Sequence, residues 1–124
     1  MLKGKIHRAT VTEADLDYRG SLTLDEDLMD EVGLKEYEKV QVLDITNGNR
    51  IETYIIQGER GSGKVCINGA AAHLIHVGDL VIIISFCQLS NEESLSHNPK
   101  IISLDADNRV CPIYIEEHII ECRK

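Results

Sequence analysis

Hydrophobic residues along this chain alternate with polar ones in short runs, and tight-turn residues separate the runs. Such alternation predicts half-buried β-strands. Residues 3–13 read as a strand in which Ile6, Ala9 and Val11 mix with Lys5, His7, Arg8 and Thr10. Residues 17–24 form a second extended piece, interrupted by Gly20. Val40 to Thr46 and Arg50 to Gln57 read as the arms of a hairpin, because Asn47-Gly48 between them suits the positive φ of a type I′ turn. Arg60-Gly61-Ser62-Gly63 is another tight turn, followed by a short strand at Lys64 to Ile67. Leu80 to Cys87 is continuously apolar and is expected to be buried on both faces. A polar loop over 90–99 and strands at 100–104 and 109–115 complete the pattern, and residues 116–124 show no clear one.

Two segments depart from alternation. Asp25 is a natural N-cap, the residues after it are acidic, and Gly33 suits the C′ position of a short helix between them. Asn68 to His76 reads as a helix start and compact helix that ends at Gly78-Asp79. Short strands, two short helices and tight turns predict a mainly β chain built as a small barrel, one domain over residues 1–124.

Composition narrows the function. Of 124 residues, 43% are hydrophobic, Trp is absent, and the core must rest on Ile, Val and Leu. The formal charge of −8 argues against nucleic acid and against an anionic membrane surface as partners. It leaves room for a small acidic substrate in a locally positive pocket. The apolar run from Leu80 is far too short to span a bilayer, and the N-terminus has no signal-like segment, so the cytoplasm is expected. Cys66, Cys87, Cys111 and Cys122 include no Cys-x-x-Cys pair and are expected as free thiols.

Three local signals point elsewhere and are weak. Gly58 to Lys64 fits half of a phosphate-binding loop, but Val65 stands where Ser or Thr should hold magnesium, and a strand follows instead of a helix. A glycine turn is the better reading. His73 and His76 sit three apart without a carboxylate at a recognised ligand spacing, so they read as surface or interface histidines and no metal is expected. Cys66 lies in a strand with no assignable base and reads as a buried thiol.

Seven ordered pieces form a larger pattern: Lys5-Ile6-His7-Arg8-Ala9-Thr10-Val11-Thr12, Tyr18-Arg19-Gly20-Ser21, Thr46-Asn47-Gly48, Arg50 to Tyr54, Gly58 to Gly63, Asn68 to His73, and Gly78 to Ile83. Together they resemble the aspartate 1-decarboxylases over roughly residues 1–104. Asp17 departs from that family's usual neutral residue. The resemblance implies a small double-psi β-barrel with short helices, assembled as a homotetramer with active sites between subunits. It implies self-cleavage at Gly20–Ser21 into a β chain, 1–20, and an α chain, 21–124, and leaves room for a maturation factor as a partner. The Ser21 hydroxyl attacks the Gly20 carbonyl, with Thr53 and Asn68 steadying the oxyanion, and Ser21 ends as a pyruvoyl group. Glycine suits position 20 because it holds a backbone geometry that other residues avoid and leaves the carbonyl uncovered. The pyruvoyl ketone then forms a Schiff base with L-aspartate and serves as the electron sink for decarboxylation to β-alanine, a precursor of pantothenate and coenzyme A. Tyr54 is the implied proton donor. Arg50 and then Lys5 are the cations for substrate carboxylates, joined by the backbone of Gly69, Ala70 and Ala71 and, at one remove, by His7. The competing readings are a non-catalytic double-psi barrel acting as a binding or assembly module, and a DNA-binding barrel dimer. The joint presence of Gly20, Ser21, Arg50, Thr53 and Tyr54 counts against the first, and the charge of −8 against the second.

Overall fold

Burial alternates along Lys39–Asp44 and Leu80–Phe86, which gives the sheet an inside. In the computed structural model, which describes residues 1–18 and 20–111, the strands are β1 (Leu2–Thr10), β2 (Glu13–Asp15), β3 (Ser21–Asp25), β4 (Lys39–Asp44), β5 (Arg50–Gly58), β6 (Val65–Asn68), β7 (Leu80–Phe86) and β8 (Lys100–Ser103). Their order is β2-β6-β3-β5-β4-β7-β1-β8. β2 continues directly from β1, although the two stand near opposite ends of that order. The Thr12 amide bridges the connection by donating to the Val65 carbonyl at 2.9 Å. The sheet therefore curls on itself, giving a mainly β barrel with short helices. Ile6, Leu22, Leu24, Ile55, Ile67 and Ile83 fill it and are essentially inaccessible to solvent. Each such side chain stabilises the fold by about 1.5–3 kcal/mol.

Ile6 and Ala9 are both fully buried although three residues apart. A bulge between them, with Arg8 at φ 65°, reconciles that spacing with a strand. It turns both His7 and Arg8 away from the innermost core.

The first helix, α1 (Glu26–Val32), forms where the sequence predicts it, with Asp25 as N-cap and Gly33 in the left-handed conformation at φ 73°. Asp25 has a second role. Its carboxylate accepts from the backbone N–H of Asp27 at 2.8 Å, Gly61 at 3.0 Å and Gly63 at 2.8 Å. The glycine loop that mimics a phosphate-binding motif thus wraps a carboxylate of its own chain. Burial opposes the Asp25 charge, but the three N–H donors, helped by Arg109, hold its carboxyl below the usual value.

Several expectations are corrected. The Asn47-Gly48 reversal exists, but as a wider loop than a two-residue type I′ turn: only Gly48 has positive φ, and the Gly48 amide reaches back to the Asp44 carbonyl at 2.8 Å. Asp44 imposes this shape, since its side chain accepts from the amides of Thr46 and Asn47. The segment after Asn68 is a single 3-10 stretch, Gly69–His73, not an α-helix. The polar loop over 90–99 contains a helix, α2 (Asn91–Leu95), nucleated by a capping box between Ser90 and Glu93. β7 is not buried on both faces: Val81, Ile83 and Ser85 point inward, while Leu80, Ile82, Ile84 and Phe86 keep partial or substantial exposure. The strand expected at 109–115 is reduced to a bridge between Leu104 and Val110 within the described residues, and the rest of that segment lies outside them. Cys66 and Cys87 are free as expected. Cys111 is instead disulfide-bonded, a link no local spacing signals.

Candidate active site

β3 and β6 run antiparallel with Ser21 opposite Asn68 and Thr23 opposite Cys66. Leu22, Leu24, Val65 and Ile67 between them take the core side. Alternation therefore gathers Ser21, Thr23, Cys66 and Asn68 on the other side of the ladder. Ser21 is 1% exposed and Asn68 3%. The Asn68 amide nitrogen donates to Ser21 Oγ at 2.9 Å and to Thr23 Oγ1 at 2.9 Å. Its carbonyl oxygen accepts from the Cys66 thiol at 3.2 Å. Asn68 occupies the N-cap position of the following 3-10 turn, yet its side chain makes no capping bond. The bland role for this residue, helix capping, is thereby set aside in favour of contact with Ser21.

The two glycines at the junction behave differently from expectation. Gly20 is not in the left-handed region, and a Cβ there would meet nothing within 4 Å. A side chain at position 20 would therefore meet no steric bar. Gly69 is the glycine that the geometry requires. It has φ 76°, and a Cβ on it would lie 2.7 Å from both the N and Cα of Gly20. The backbone of Gly69 therefore abuts the residue that precedes Ser21. Ser21 is thus a buried serine held by Asn68, next to a glycine on which Gly69 packs.

The remaining candidates spread over β5 and β1. Leu22 and Ile55 are register partners and both fully buried. Ser21 and Tyr54, one step before each, lie on the other side of these strands. Thr53 opposes the buried Val40 and so shares the inner side with Ile55. Tyr54 opposes Lys39 and is 36% exposed. Arg50 is exposed, and its guanidinium donates to the Gln41 side-chain oxygen at 3.2 Å. Gln41 in turn is in register with Ile84, and Ile84 with Lys5. Tyr54 thus adjoins Ser21 across the β3–β5 pair, whereas Arg50 and Lys5 lie farther along the outer face of the β5-β4-β7-β1 region. His7 sits at the β1 bulge. Ala70 and Ala71 follow Gly69 in the 3-10 turn, Ala70 exposed and Ala71 partly buried.

A surface cavity of about 210 Å³ on the outer face is lined by Lys39, Gln41, Glu52, Ile84 and Phe86 and holds none of the candidates. His73 and His76 are exposed, and the nearest acid to His76 is Asp79, its Oδ2 at 3.7 Å. Among the described residues no group of three or more His, Cys, Asp or Glu is placed to hold a metal ion, and no helix is long and apolar enough to cross a membrane. Sequence reasoning missed Thr23 and Cys66. Their signal was the i, i+2 spacing to Ser21 and Asn68, which becomes informative only once β3 and β6 are known to pair.

The fold and site together define a small β-barrel with a buried, hydrogen-bonded serine at the start of β3. The pattern of the family described as aspartate decarboxylase matches residues 1–111. The aspartate 1-decarboxylase of Acetivibrio thermocellus is 58% identical over 117 residues, covering 94% of this chain and 93% of its own. That of Caldicellulosiruptor saccharolyticus is 56% identical over 122 residues, with 98% and 95% covered. That of Corynebacterium efficiens is 61% identical over 110 residues, with 89% and 81% covered. Among solved structures, the computationally designed msDPBB_sym2 protein aligns with a TM-score of 0.48 at 20% identity, covering 60% of this chain and 95% of its own. The chain belongs to the aspartate decarboxylase family.

Proposed function

We propose that this chain decarboxylates L-aspartate to β-alanine and CO₂, using a pyruvoyl group made from its own Ser21, and so feeds pantothenate and coenzyme A synthesis in the cytoplasm. The observation that carries the reading is the hydrogen bond from Asn68 to Ser21 Oγ at 2.9 Å, made by an asparagine that forgoes its capping role. Family membership supports it.

In self-cleavage the Ser21 Oγ bonds to the Gly20 carbonyl carbon, the amide C–N bond breaks, and the freed nitrogen takes the hydroxyl proton. Loss of the Ser21 α-proton then breaks the Cβ–Oγ bond and leaves the β chain, 1–20, with a C-terminal carboxylate. Hydrolysis of the remaining enamine by one water releases ammonia and completes the α chain, 21–124. Burial excludes competing water, and Asn68 fixes the nucleophile in one rotamer. Both N–H groups of Asn68 are taken by Ser21 Oγ and Thr23 Oγ1, so the oxyanion falls to Thr53. The pyruvoyl carbonyls supply an electron sink for decarboxylation.

Substrate binding falls to Arg50, whose planar fork matches a carboxylate, with Lys5 and the backbone of Gly69, Ala70 and Ala71 assisting and His7 behind them. Tyr54 returns a proton from its phenol hydroxyl to the carbon that loses CO₂. Tyr54 neighbours Ser21 across the β3–β5 register, whereas Arg50 and Lys5 lie farther off on the outer face, so a second copy completes the carboxylate side of the site. Exposed Phe86, at 54%, and half-buried Ile82 and Ile84 make that face apolar enough to pack against one. The assembly is a homotetramer with sites between subunits.

The test is turnover without added cofactor. Purified protein given L-aspartate, with no pyridoxal phosphate, is expected to form β-alanine and CO₂ in equal amounts. Phenylhydrazine, which captures ketones, is expected to abolish that activity. Absence of β-alanine with and without bacterial lysate, the lysate supplying any maturation factor, contradicts the proposal and leaves a non-catalytic barrel.

A further inference from the structure

Thr23 and Cys66 are polar groups on the Ser21 face that the chemistry above does not use. Their geometry gives them a shared target. Asn68 has two N–H donors and one carbonyl oxygen on its side chain. Both donors are engaged, one by Ser21 Oγ and one by Thr23 Oγ1, each at 2.9 Å. The carbonyl oxygen receives the Cys66 thiol at 3.2 Å. The four side chains form a two-by-two block, because Ser21 opposes Asn68 and Thr23 opposes Cys66 in the ladder.

An asparagine amide turned by half a rotation exchanges its oxygen and nitrogen and would present an acceptor to Ser21 instead of a donor. Two contacts oppose that turn. Thr23 holds the second N–H from the opposite strand, and the thiol of Cys66, two residues along the same strand, holds the oxygen. Cys66 is 5% exposed. Burial, and then the negative charge of Glu13 across β2, push its thiol up, so at neutral pH it keeps the proton it donates.

We propose that Thr23 and Cys66 are positioning residues for self-cleavage, which lock the Asn68 amide with an N–H on the Ser21 hydroxyl. Neither touches the bond that breaks. Cys66 is a hydrogen-bond donor here and not a nucleophile. The inference rests on the self-cleavage reading and adds two residues to it.

The experiment follows cutting of freshly purified full-length precursor by intact mass over time in four variants. Cys66→Ala and Thr23→Val remove one hydrogen bond each while keeping similar bulk, and each is expected to cut about 5- to 10-fold more slowly than wild type. Cys66→Ser and Thr23→Ser restore a donor and an acceptor, and each is expected to cut within about threefold of wild type. Loss of packing alone predicts no rescue by serine at either position. Equal cutting rates within either pair, whether both fast or both slow, overturn the proposal. The pairs act from opposite strands, so one decides if the other fails to fold. A wild-type chain that never cuts removes the self-cleavage reading and this inference with it. A wild type that cuts while the members of a pair behave alike removes this inference only.

Discussion

The β3–β6 junction and the outer face of β5, β4, β7 and β1 serve one proposed reaction but are built in opposite ways. The junction is buried and complete within one chain: Ser21, Thr23, Cys66 and Asn68 satisfy one another, and Gly69 packs directly on Gly20. The outer face is open. Arg50 is exposed and donates to Gln41, Tyr54 is 36% exposed, and the outward apolar residues of β7, two strands away, keep partial to substantial exposure. The contrast points to an intramolecular step preorganised by one fold and, on the proposed reading, a substrate site that a second copy completes. Substitutions at the junction should change cutting first, and those on the outer face should spare cutting and change turnover.

The largest effect expected is at Ser21. Ser21→Ala should stay at full length and form no β-alanine, with a circular dichroism spectrum and melting behaviour close to wild type. Partial cutting in that variant, seen by mass, would contradict the nucleophile assignment. Tyr54→Phe should cut normally but lose about a hundredfold in kcat, the usual scale of a positioned proton donor. An unchanged kcat would remove Tyr54 from that role. Arg50→Ala should also cut normally, and its KM for aspartate should rise about tenfold with a smaller change in kcat. An unchanged KM would move carboxylate recognition elsewhere.

Smaller effects sharpen the junction side. Gly69→Ala forces a left-handed alanine at a cost of about 1–2 kcal/mol, and its Cβ displaces Gly20, so cutting should slow and the melting temperature fall. Gly20→Ala meets open space and should fold as wild type. If the two alanine variants melt alike, the backbone contact at Gly69 is not the constraint described. The smallest effect concerns Asp25, whose folded carboxyl titrates below its unfolded value. Its ionised form therefore adds stability that is fully present above an ordinary aspartate value of about 4 and is lost as pH falls below it. Urea midpoints of wild type and Asp25→Asn should differ at pH 7 and converge in acid. A constant difference would deny the linkage.

Much of this architecture was legible in the chain. Alternation located the strands because one face of each is buried, and Asp25 and Gly33 bounded α1 because caps have specific chemistry. Helix α2 was hidden because none of its residues is buried, leaving only the Ser90–Glu93 capping box to announce it. The outward half of β7 was hidden for the opposite reason: Leu80, Ile82, Ile84 and Phe86 have the composition of a core although they keep exposure. The bulge at Arg8 and the loop shape set by Asp44 depend on contacts that periodicity does not record. At the site, Ser21 and Asn68 were legible through resemblance. Thr23 and Cys66 were not, since their meaning arises from the register between β3 and β6.

The central claim is that Ser21 is a cofactor precursor and not a resident serine. Intact mass of the purified protein after prolonged incubation tests it most directly. The prediction is two species, one ending at Gly20 and one beginning at position 21 with a mass matching pyruvoyl in place of serine. A single species at the mass of all 124 residues, unchanged after exposure to lysate, would contradict it.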